Sequence, residues 1–465
     1  MRMRSRYLFA IGALLLGLFS LTTQISFAQS PAFENGQNSQ SASVLFENVR
    51  IFDGVSDTLT APSNVLVVGN RIQAIDTRSL PMPADISVAR INGEGRVLMP
   101  GLIDAHTHLF METSTPEDLI AATSAPERLF QKAQDNATGM LMRGFTSARD
   151  LAGPVFELKQ AIDRGAVVGP RIWPSGAMIS QTSGHGDFRE LSELPRTPTS
   201  ELSLAEVAGV GAIADGVDEV LRRTREQLML GASQIKLAAG GGVASDHDPL
   251  DVSQYTEAEL KAAVEAAEDW NTYVAVHAYT PRSIQKSIRA GVKSIEHGQL
   301  MDEETAQMIA ENDVWVSMQP FLDDEDANPY PEGSENRANQ LIVAAGTDNA
   351  YNLAKKYNIK TAWGTDTLFN PEGATRRGAK LAKMVRWYSP AEVLRMATST
   401  NASLLALSGP RNPYPGKLGV VEAGALADLL LVNGNPLENI QLIENPDANF
   451  LVIMKDGVIY KNRLG

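Results

Sequence analysis

The order of hydrophobic and polar positions divides the chain into three parts. Short segments in which apolar and polar residues alternate, separated by Asp-Gly and Gly-Asn pairs, occupy residues 44–99 and return over residues 411–465. Such alternation predicts antiparallel strands with one buried face. Between these parts, short apolar runs alternate with longer stretches of helical periodicity. The pattern therefore predicts a small β domain built from both ends of the chain and an α/β domain over residues 100–410.

The middle part contains eight predicted strand–helix units. The predicted strands are residues 97–108, 144–150, 171–175, 234–237, 273–277, 294–297, 314–317 and 361–366. The predicted helices are residues 125–143, 155–164, 217–230, 257–269, 280–290, 302–311, 348–357 and 390–398. Eight units over this length are what a (β/α)8 TIM-like barrel requires. We predict such a barrel over residues 100–410, inserted in a small β-sandwich that the two terminal segments form together.

The first 43 residues have the composition of an exported leader. In residues 1–28, three arginines precede an apolar stretch, and a small-x-small sequence ends at Ala28, as in a secretory signal peptide. The apolar stretch is short for a membrane span. Residues 29–43 are polar and predict a flexible leader. The sequence thus predicts a periplasmic or secreted protein with no membrane contact in its mature form.

The composition of the chain limits the partners and metal ligands that it can have. The 465 residues are 43% hydrophobic and 21% charged, as in soluble globular proteins, with a formal net charge of -14. An acidic chain is a poor partner for nucleic acid, whose phosphates need a basic surface. The sequence contains no cysteine, which excludes disulfides and thiolate ligands. A metal site in this chain must use histidine, carboxylate or a modified side chain.

Polar side chains occupy the carboxyl ends of the predicted strands, where barrel enzymes have their active sites. His106 and His108 are two positions apart on one strand, so they share a face and can bind one metal ion. Four of the six histidines lie at such ends. The complete set is His106, His108, Lys236, His277, His297 and Asp366. This set predicts a metal-dependent enzyme.

The same residues, in this order, resemble the binuclear metal site of the amidohydrolase superfamily. Residues 99–108 and 423–429 are similar to that family's first-strand and C-terminal signatures. Residues 182–187, 236–242 and 363–366 resemble its Xaa-Pro dipeptidase and imidazolonepropionase-like branch, which includes ochratoxin-type amidohydrolases. The resemblance covers nearly the whole chain after the leader, and its motifs are specific jointly rather than singly.

The resemblance implies two Zn²⁺ ions, or other divalent metals, bridged by a CO₂-derived carbamate on Lys236. An unmodified lysine has donors only, so it can bridge metals only after carboxylation. It also implies a metal-bridging hydroxide as nucleophile, with Asp366 as the catalytic residue that carries the proton to the leaving amine. The implied ligands are His106, His108, Lys236 and Asp366 for one metal, and Lys236, His277 and His297 for the other. An ordinary ion pair for Lys236 and a helix N-cap for Asp366 are the structural alternatives.

Candidate substrate-binding residues lie in loops that hold the free carboxylate of the substrate in dipeptidase-like relatives. They are His185, Tyr279 and Arg282. Their structural alternatives are a loop histidine bonded to backbone, a capping aromatic and a solvated helix residue. His247 is interpreted as a surface or lid residue. The acidic residues 323–326 are interpreted as a solvated loop or a lid element.

Together these features indicate a zinc-dependent amide hydrolase that cleaves an Xaa-Pro-like dipeptide or an N-acyl amino acid with a free carboxylate. One alternative is a hydrolase of cyclic amides, imidazolonepropionase-like, or of lactones. Another is a non-catalytic periplasmic binding protein, which would have no need of Asp366. The expected partner is a small-molecule or dipeptide substrate, and the resemblance also implies a homo-oligomer of unstated size.

Overall fold

A computed structural model of the protein describes residues 43–81, 87–121, 125–197, 199–245 and 247–464. The predicted signal peptide (1–28) and all but the last residue of the predicted leader (29–43) lie outside this part of the chain. Within the described residues, each helix is too short or too polar to cross a lipid bilayer.

The N-terminal segment forms five strands. They are β1 (Ser43–Ile51), β2 (Ser63–Val68), β3 (Arg71–Asp76), β4 (Val88–Asn92) and β5 (Val97–Pro100). β1 pairs antiparallel with β2 and parallel with β4 and β5. Burial alternates as predicted over Val49–Ile51 of β1. In contrast, Val44–Phe46 of β1 and Val65–Val67 of β2 are buried without interruption, so these parts of the strands are covered on both faces.

Parallel strands form the middle of the chain. They are β6 (Leu102–Thr107), β7 (Phe145–Asp150), β8 (Arg171–Pro174), β9 (Met178–Ser180), β10 (Gly211–Ile213), β11 (Ile235–Ala238), β12 (Val274–Ala278), β13 (Ser294–His297), β14 (Trp315–Met318) and β15 (Thr361–Trp363). Pairing runs β6-β7-β8 in one sheet and β10-β9-β11-β12-β13-β14-β15 in another. β8 leads into β9 after three residues, so in the described chain the eight predicted strands follow one another as in a TIM-like barrel. β9 and β10 were not predicted.

Helices separate these strands. They are α1 (Pro116–Ala121), α2 (Pro126–Met142), α3 (Phe156–Asp163), α4 (Leu204–Val207), α5 (Val217–Leu230), α6 (Glu257–Asp269), α7 (Pro281–Arg289), α8 (Glu303–Glu311), α9 (Glu335–Lys356), α10 (Pro371–Thr375), α11 (Arg377–Ala382), α12 (Pro390–Arg395), α13 (Asn401–Leu405) and α14 (Pro446–Asn449).

Two predicted helices differ from the structure in their bounds. The helix predicted over residues 348–357 begins earlier, as α9, because the Ser334 hydroxyl accepts the Arg337 N–H and caps it there. The helix predicted over residues 390–398 is α12, which continues into a π-helical turn over Met396–Thr400. The short helices α1, α4, α10, α11, α13 and α14 were not predicted.

The C-terminal segment completes the terminal sheet. Its strands are β16 (Leu429–Val432), β17 (Phe450–Lys455) and β18 (Val458–Asn462). They join the N-terminal strands in the order β18-β17-β16-β5-β1-β2-β3, since β16 pairs antiparallel with β5. The predicted association of the two ends of the chain is therefore confirmed. The sandwich arrangement and the domain limits at 44–99, 100–410 and 411–465 stay predictions.

β16 connects the terminal sheet to the barrel through both of its faces. Leu429 and Leu431 pack in the core of the terminal sheet. Leu430 and Val432 pack in the larger hydrophobic core, which also includes the buried residues of the barrel. Because side chains alternate along a strand, a strand buried on both faces must be apolar throughout. This explains the uninterrupted apolar run of β16.

A buried ion pair also links the terminal sheet to the barrel. Arg171, at the start of β8, donates to Asp428 through Nε (3.0 Å) and Nη2 (3.2 Å), and to Asp456 through Nη2 (2.6 Å). The Arg171 and Asp428 side chains are both buried. These bonds therefore join barrel strand β8 to the terminal sheet, because Asp428 directly precedes β16 and Asp456 directly follows β17.

We expect Asp428→Ala to lower the free energy of unfolding by about 3 kcal/mol, because it leaves the buried Arg171 guanidinium short of a partner. The urea midpoint followed by circular dichroism measures this loss. Asp76→Ala, which breaks an exposed pair with Arg78, is the control and should leave the midpoint unchanged. Equal losses in the two variants would contradict a structural role specific to the buried pair.

Candidate metal centre

His106 and His108 lie at the carboxyl end of β6 and both face the carboxylate of Asp366. Asp366 Oδ1 is 3.3 Å from His106 Nε2 and 3.1 Å from His108 Nε2. The Asp366 N–H donates to the His106 carbonyl (2.9 Å), so the loop after β15 lies against β6. A Cβ at residue 364 would come within 2.5 Å of the His106 backbone nitrogen, so Gly364 is needed for this approach.

His297, at the end of β13, approaches the same carboxylate, and His277, on β12, lies beside His297. Their ring centroids are 4.5 Å apart, and His297 Nδ1 is 3.8 Å from Asp366 Oδ2. Ligand atoms of His106, His297 and Asp366 all lie within 4.8 Å of one another, close enough to hold one metal ion. The structure therefore brings together all four histidines of the predicted set. Asp366 is not a helix cap, because Asn370 caps the helix that follows.

Lys236 is buried on β11 and lines the same cavity as the histidines. Among the described residues, no carboxylate lies within ion-pair distance of its amine, so the ordinary ion pair is not what the structure shows. Burial lowers the pKa of Lys236 to about 8, although the carboxylates of Glu296 and Asp366 oppose this shift. A neutral amine is the form that reacts with CO₂, so this environment fits a carboxylated lysine.

One nitrogen of each of three rings is already bonded to the protein. His106 Nδ1 donates to Glu296 (2.9 Å) and His297 Nδ1 donates to Gln319 Oε1 (2.7 Å). His277 Nε2 donates to the Gly241 carbonyl (3.0 Å). Such partners fix the ring orientation and leave the second nitrogen for a metal, as in many metal sites.

Burial keeps these rings neutral. It lowers the pKa of His106 to about 4 and holds the pKa values of His277 and His297 well below their usual range. Metal binding requires neutral imidazole. Neutral imidazoles together with a carboxylate form a donor set that suits divalent metals such as zinc. The residues present therefore fit a metal site.

Glu296 and Arg149 form a buried support behind His106 that sequence reasoning missed. Arg149 Nη2 donates to both Glu296 oxygens (2.8 and 2.7 Å), and Nε donates to the Ala105 carbonyl (2.6 Å). In a regular strand Glu296 would face away from His297. The φ of +80° at His297 breaks this alternation, and a strand pattern does not predict such a break. The one signal in the sequence for the role of Glu296 was a charged residue next to a strand-end histidine.

His185 and Tyr279 line the cavity, as expected for substrate-binding residues. The His185 ring stacks on His277 with 3.8 Å between centroids, and its Nδ1 contacts Ser245 Oγ (2.8 Å) and Asp248 Oδ2 (3.2 Å). The Tyr279 ring lies 5.0 Å from that of His277. Their roles stay predictions.

Two other candidates lie elsewhere. Arg282 is exposed on α7 and does not line the cavity, so the structure does not bring it together with the other substrate candidates. The His247 side chain is also exposed, and its carbonyl accepts a bond from Ser183 Oγ (2.6 Å).

The acidic loop 323–326 is held in place rather than freely solvated. Lys383 pairs with Asp324 (2.6 Å) and Asp326 (2.7 Å), and Arg376 also pairs with Asp326. Both aspartates line the cavity. The expectation of a simple solvated loop is therefore incorrect for these two residues, because basic side chains from a separate segment bind them.

Comparisons with known proteins agree with this site. Residues 97–461 match the model of a family described as the amidohydrolase family. Ochratoxinase of Aspergillus niger is 34% identical over 379 residues, which cover 78% of this chain and 76% of that protein.

Two solved structures of hydrolases are also similar to this chain. A prolidase complexed with N-methylphosphonate-L-proline is similar with a TM-score of 0.81 and 32% identity, covering 90% of this chain and 100% of that chain. An Xaa-Pro dipeptidase with methionine in its active site is similar with a TM-score of 0.75 and 29% identity, with the same coverages of 90% and 100%.

We expect Glu296→Gln to weaken metal affinity by roughly 10–100-fold, because an amide holds His106 Nδ1–H less strongly than a carboxylate. Competition with a chelator of known affinity, followed by elemental analysis, measures this change. Glu303→Gln, on the exposed first turn of α8, is the matched control. Unchanged affinity in Glu296→Gln would contradict the supporting role of the carboxylate.

Proposed function

Since the chain belongs to the amidohydrolase family and is a hydrolase of amide C–N bonds, we propose that it cleaves a dipeptide or an N-acyl amino acid that carries a free carboxylate. One observation carries this proposal. Four histidines, Asp366 and the buried Lys236 line one cavity. A binding protein would have no need of a carboxylate held between two imidazoles.

We propose that the cavity holds two zinc ions, with Lys236 carboxylated by CO₂. The proposed ligands are His106, His108, Lys236 and Asp366 for one ion, and Lys236, His277 and His297 for the other. When bound, the metals would polarise the scissile carbonyl and activate a water molecule. The neutral rings and the buried amine of Lys236 support this ligand set.

Asp366 is the proposed proton carrier. Its carboxylate is nearly buried at the cavity and lies close to His106 and His108. The backbone bond to the His106 carbonyl keeps it there. A carboxylate at this position can take a proton from the attacking water and give it to the leaving amine, which must be protonated to depart.

The leaving group is proposed to be an amino acid. His185 and Tyr279 contact the ring of His277 at the cavity wall, where their polar atoms can bind a carboxylate. Two similar structures support this choice, since one is an Xaa-Pro dipeptidase and the other contains a proline derivative. We further propose that the chain acts outside the cytoplasm, on the basis of residues 1–28, and assembles as a homo-oligomer.

We expect the zinc-loaded protein to release the C-terminal residue from part of a panel of Xaa-Pro dipeptides and N-acyl amino acids. Asp366→Asn should lower kcat by about 100-fold or more, because an amide cannot carry the proton. Amino-acid release measured by liquid chromatography tests both statements.

The control is Asp313→Asn, at an exposed aspartate outside the cavity, which should retain full turnover. Full turnover by Asp366→Asn with metals still bound would contradict the proton-carrier role. Ring opening of cyclic amides or lactones, without amino-acid release from any panel member, would contradict the dipeptidase proposal and favour the alternative.

A further inference from the structure

Residues 376–383 contain four basic side chains, and three of them form ion pairs with carboxylates. Arg376 pairs with Asp326 and Glu325, and Lys383 pairs with Asp324 and Asp326. Arg377 is buried between Glu112 and Asp104. The fourth basic residue is Lys380.

Lys380 is buried and, among the described residues, forms no ion pair with a carboxylate. Its Nζ donates to the Thr367 hydroxyl (2.7 Å). In the described part of the chain, no carboxylate lies within 4.0 Å of this amine. Asp326, Glu112 and Asp104 lie near enough to favour its charged form, and Arg377 opposes them. An ammonium has three donors, and the hydroxyl uses one. A buried charge without a counter-ion is costly, so its persistence points to a partner that arrives with the ligand.

The charge persists despite burial. Burial lowers the pKa of Lys380 to about 8, so the ammonium form still predominates at neutral pH. The acidic residues of the cavity wall do not supply the missing partner, because Lys383 already pairs with both Asp324 and Asp326.

Lys380 borders the cavity of the metal centre. Its partner Thr367 directly follows Asp366, in the loop after β15. His185 and Tyr279 contact the histidines of β12 and β13 instead. The cavity therefore has two separate positions that can bind a polar group of one substrate, one near His185 and one at Lys380.

We propose that Lys380 is an anion-binding residue of the substrate cavity and pairs with a carboxylate of the amide substrate. This rests on the proposed function for the nature of the substrate. The carboxylate can belong to the leaving amino acid or to the acyl group. If it belongs to the acyl group, a free α-amine is disfavoured next to Lys380, and N-acyl amino acids are then preferred over dipeptides.

Lys380→Met removes the charge and nearly preserves the length of the side chain. Three substrates separate the two sources of the carboxylate: an N-acetyl amino acid, its C-terminal amide, and the N-succinyl derivative of that amide. We expect KM to rise at least tenfold for the substrates whose carboxylate reaches Lys380, with little change for the neutral compound. A rise for the N-acetyl amino acid identifies the leaving group as the source, and a rise for the N-succinyl amide identifies the acyl group.

Lys380→Arg should restore much of the loss, since it keeps the positive charge. The matched control is Lys455→Met, because Lys455 is another buried lysine, bonded to the Gly169 carbonyl (2.8 Å) and outside the cavity. It should not change the preference among the three compounds. An equal loss of kcat/KM by Lys380→Met for neutral and charged substrates would indicate a structural role and contradict the proposal.

Equilibrium binding separates this proposal from the proposed function. Calorimetry with N-acetyl-L-proline and with succinate, on the metal-loaded protein, needs no turnover. We expect Lys380→Met to bind at least one of them tenfold more weakly than the unmodified chain, even if no amide in the panel is cleaved. Equal affinities in the two proteins, or no binding by either, would overturn the assignment of Lys380.

Discussion

The buried chain of contacts from Arg149 through Glu296 to His106 is the interaction on which the arrangement of the candidate metal centre depends. It connects β7, β13 and β6, which come from distant parts of the sequence. Charges buried in a low-dielectric interior persist only when each one is paired with good geometry. The two Arg149–Glu296 bonds meet that requirement, so Glu296 is held rigidly, and His106 takes the one orientation in which its Nε2 faces Asp366.

The segments most characteristic of the family are largely structural. Asp104, within the first-strand signature, accepts bonds from the Thr365 N–H (3.0 Å) and hydroxyl (2.7 Å) and fixes the loop that carries Asp366. Asp428, within the C-terminal signature, binds Arg171 and accepts the Gly101 N–H through its carbonyl (2.8 Å). These contacts secure the two ends of the strand region that presents His106, so the terminal sheet supports the centre without contributing a ligand to the proposed set.

The two buried lysines at the cavity follow from the same physical argument but have different roles. Neither Lys236 nor Lys380 has a carboxylate within ion-pair distance among the described residues, and burial lowers both pKa values to about 8. Lys236 lies among neutral imidazoles, where a carbamate would complete a metal site. Lys380 lies beside a threonine hydroxyl and neutralised aspartates, where an anion from outside is the missing partner. The surroundings, rather than the residue type, separate the two assignments.

The sequence by itself determined the strand–helix order and the positions of the four strand-end histidines, Lys236 and Asp366. These features are local, because the period of apolar residues defines each strand and the residue at its carboxyl end follows directly. Only the tertiary structure decided which side chains stand behind them. Arg149 and Glu296 are 147 residues apart, and Arg282 is exposed at the surface. Of the two basic residues of α11, Arg377 is paired with carboxylates, whereas Lys380 has no ion pair among the described residues. Pairing between distant charges depends on how the strands close on one another, and a pattern along the chain does not contain that information.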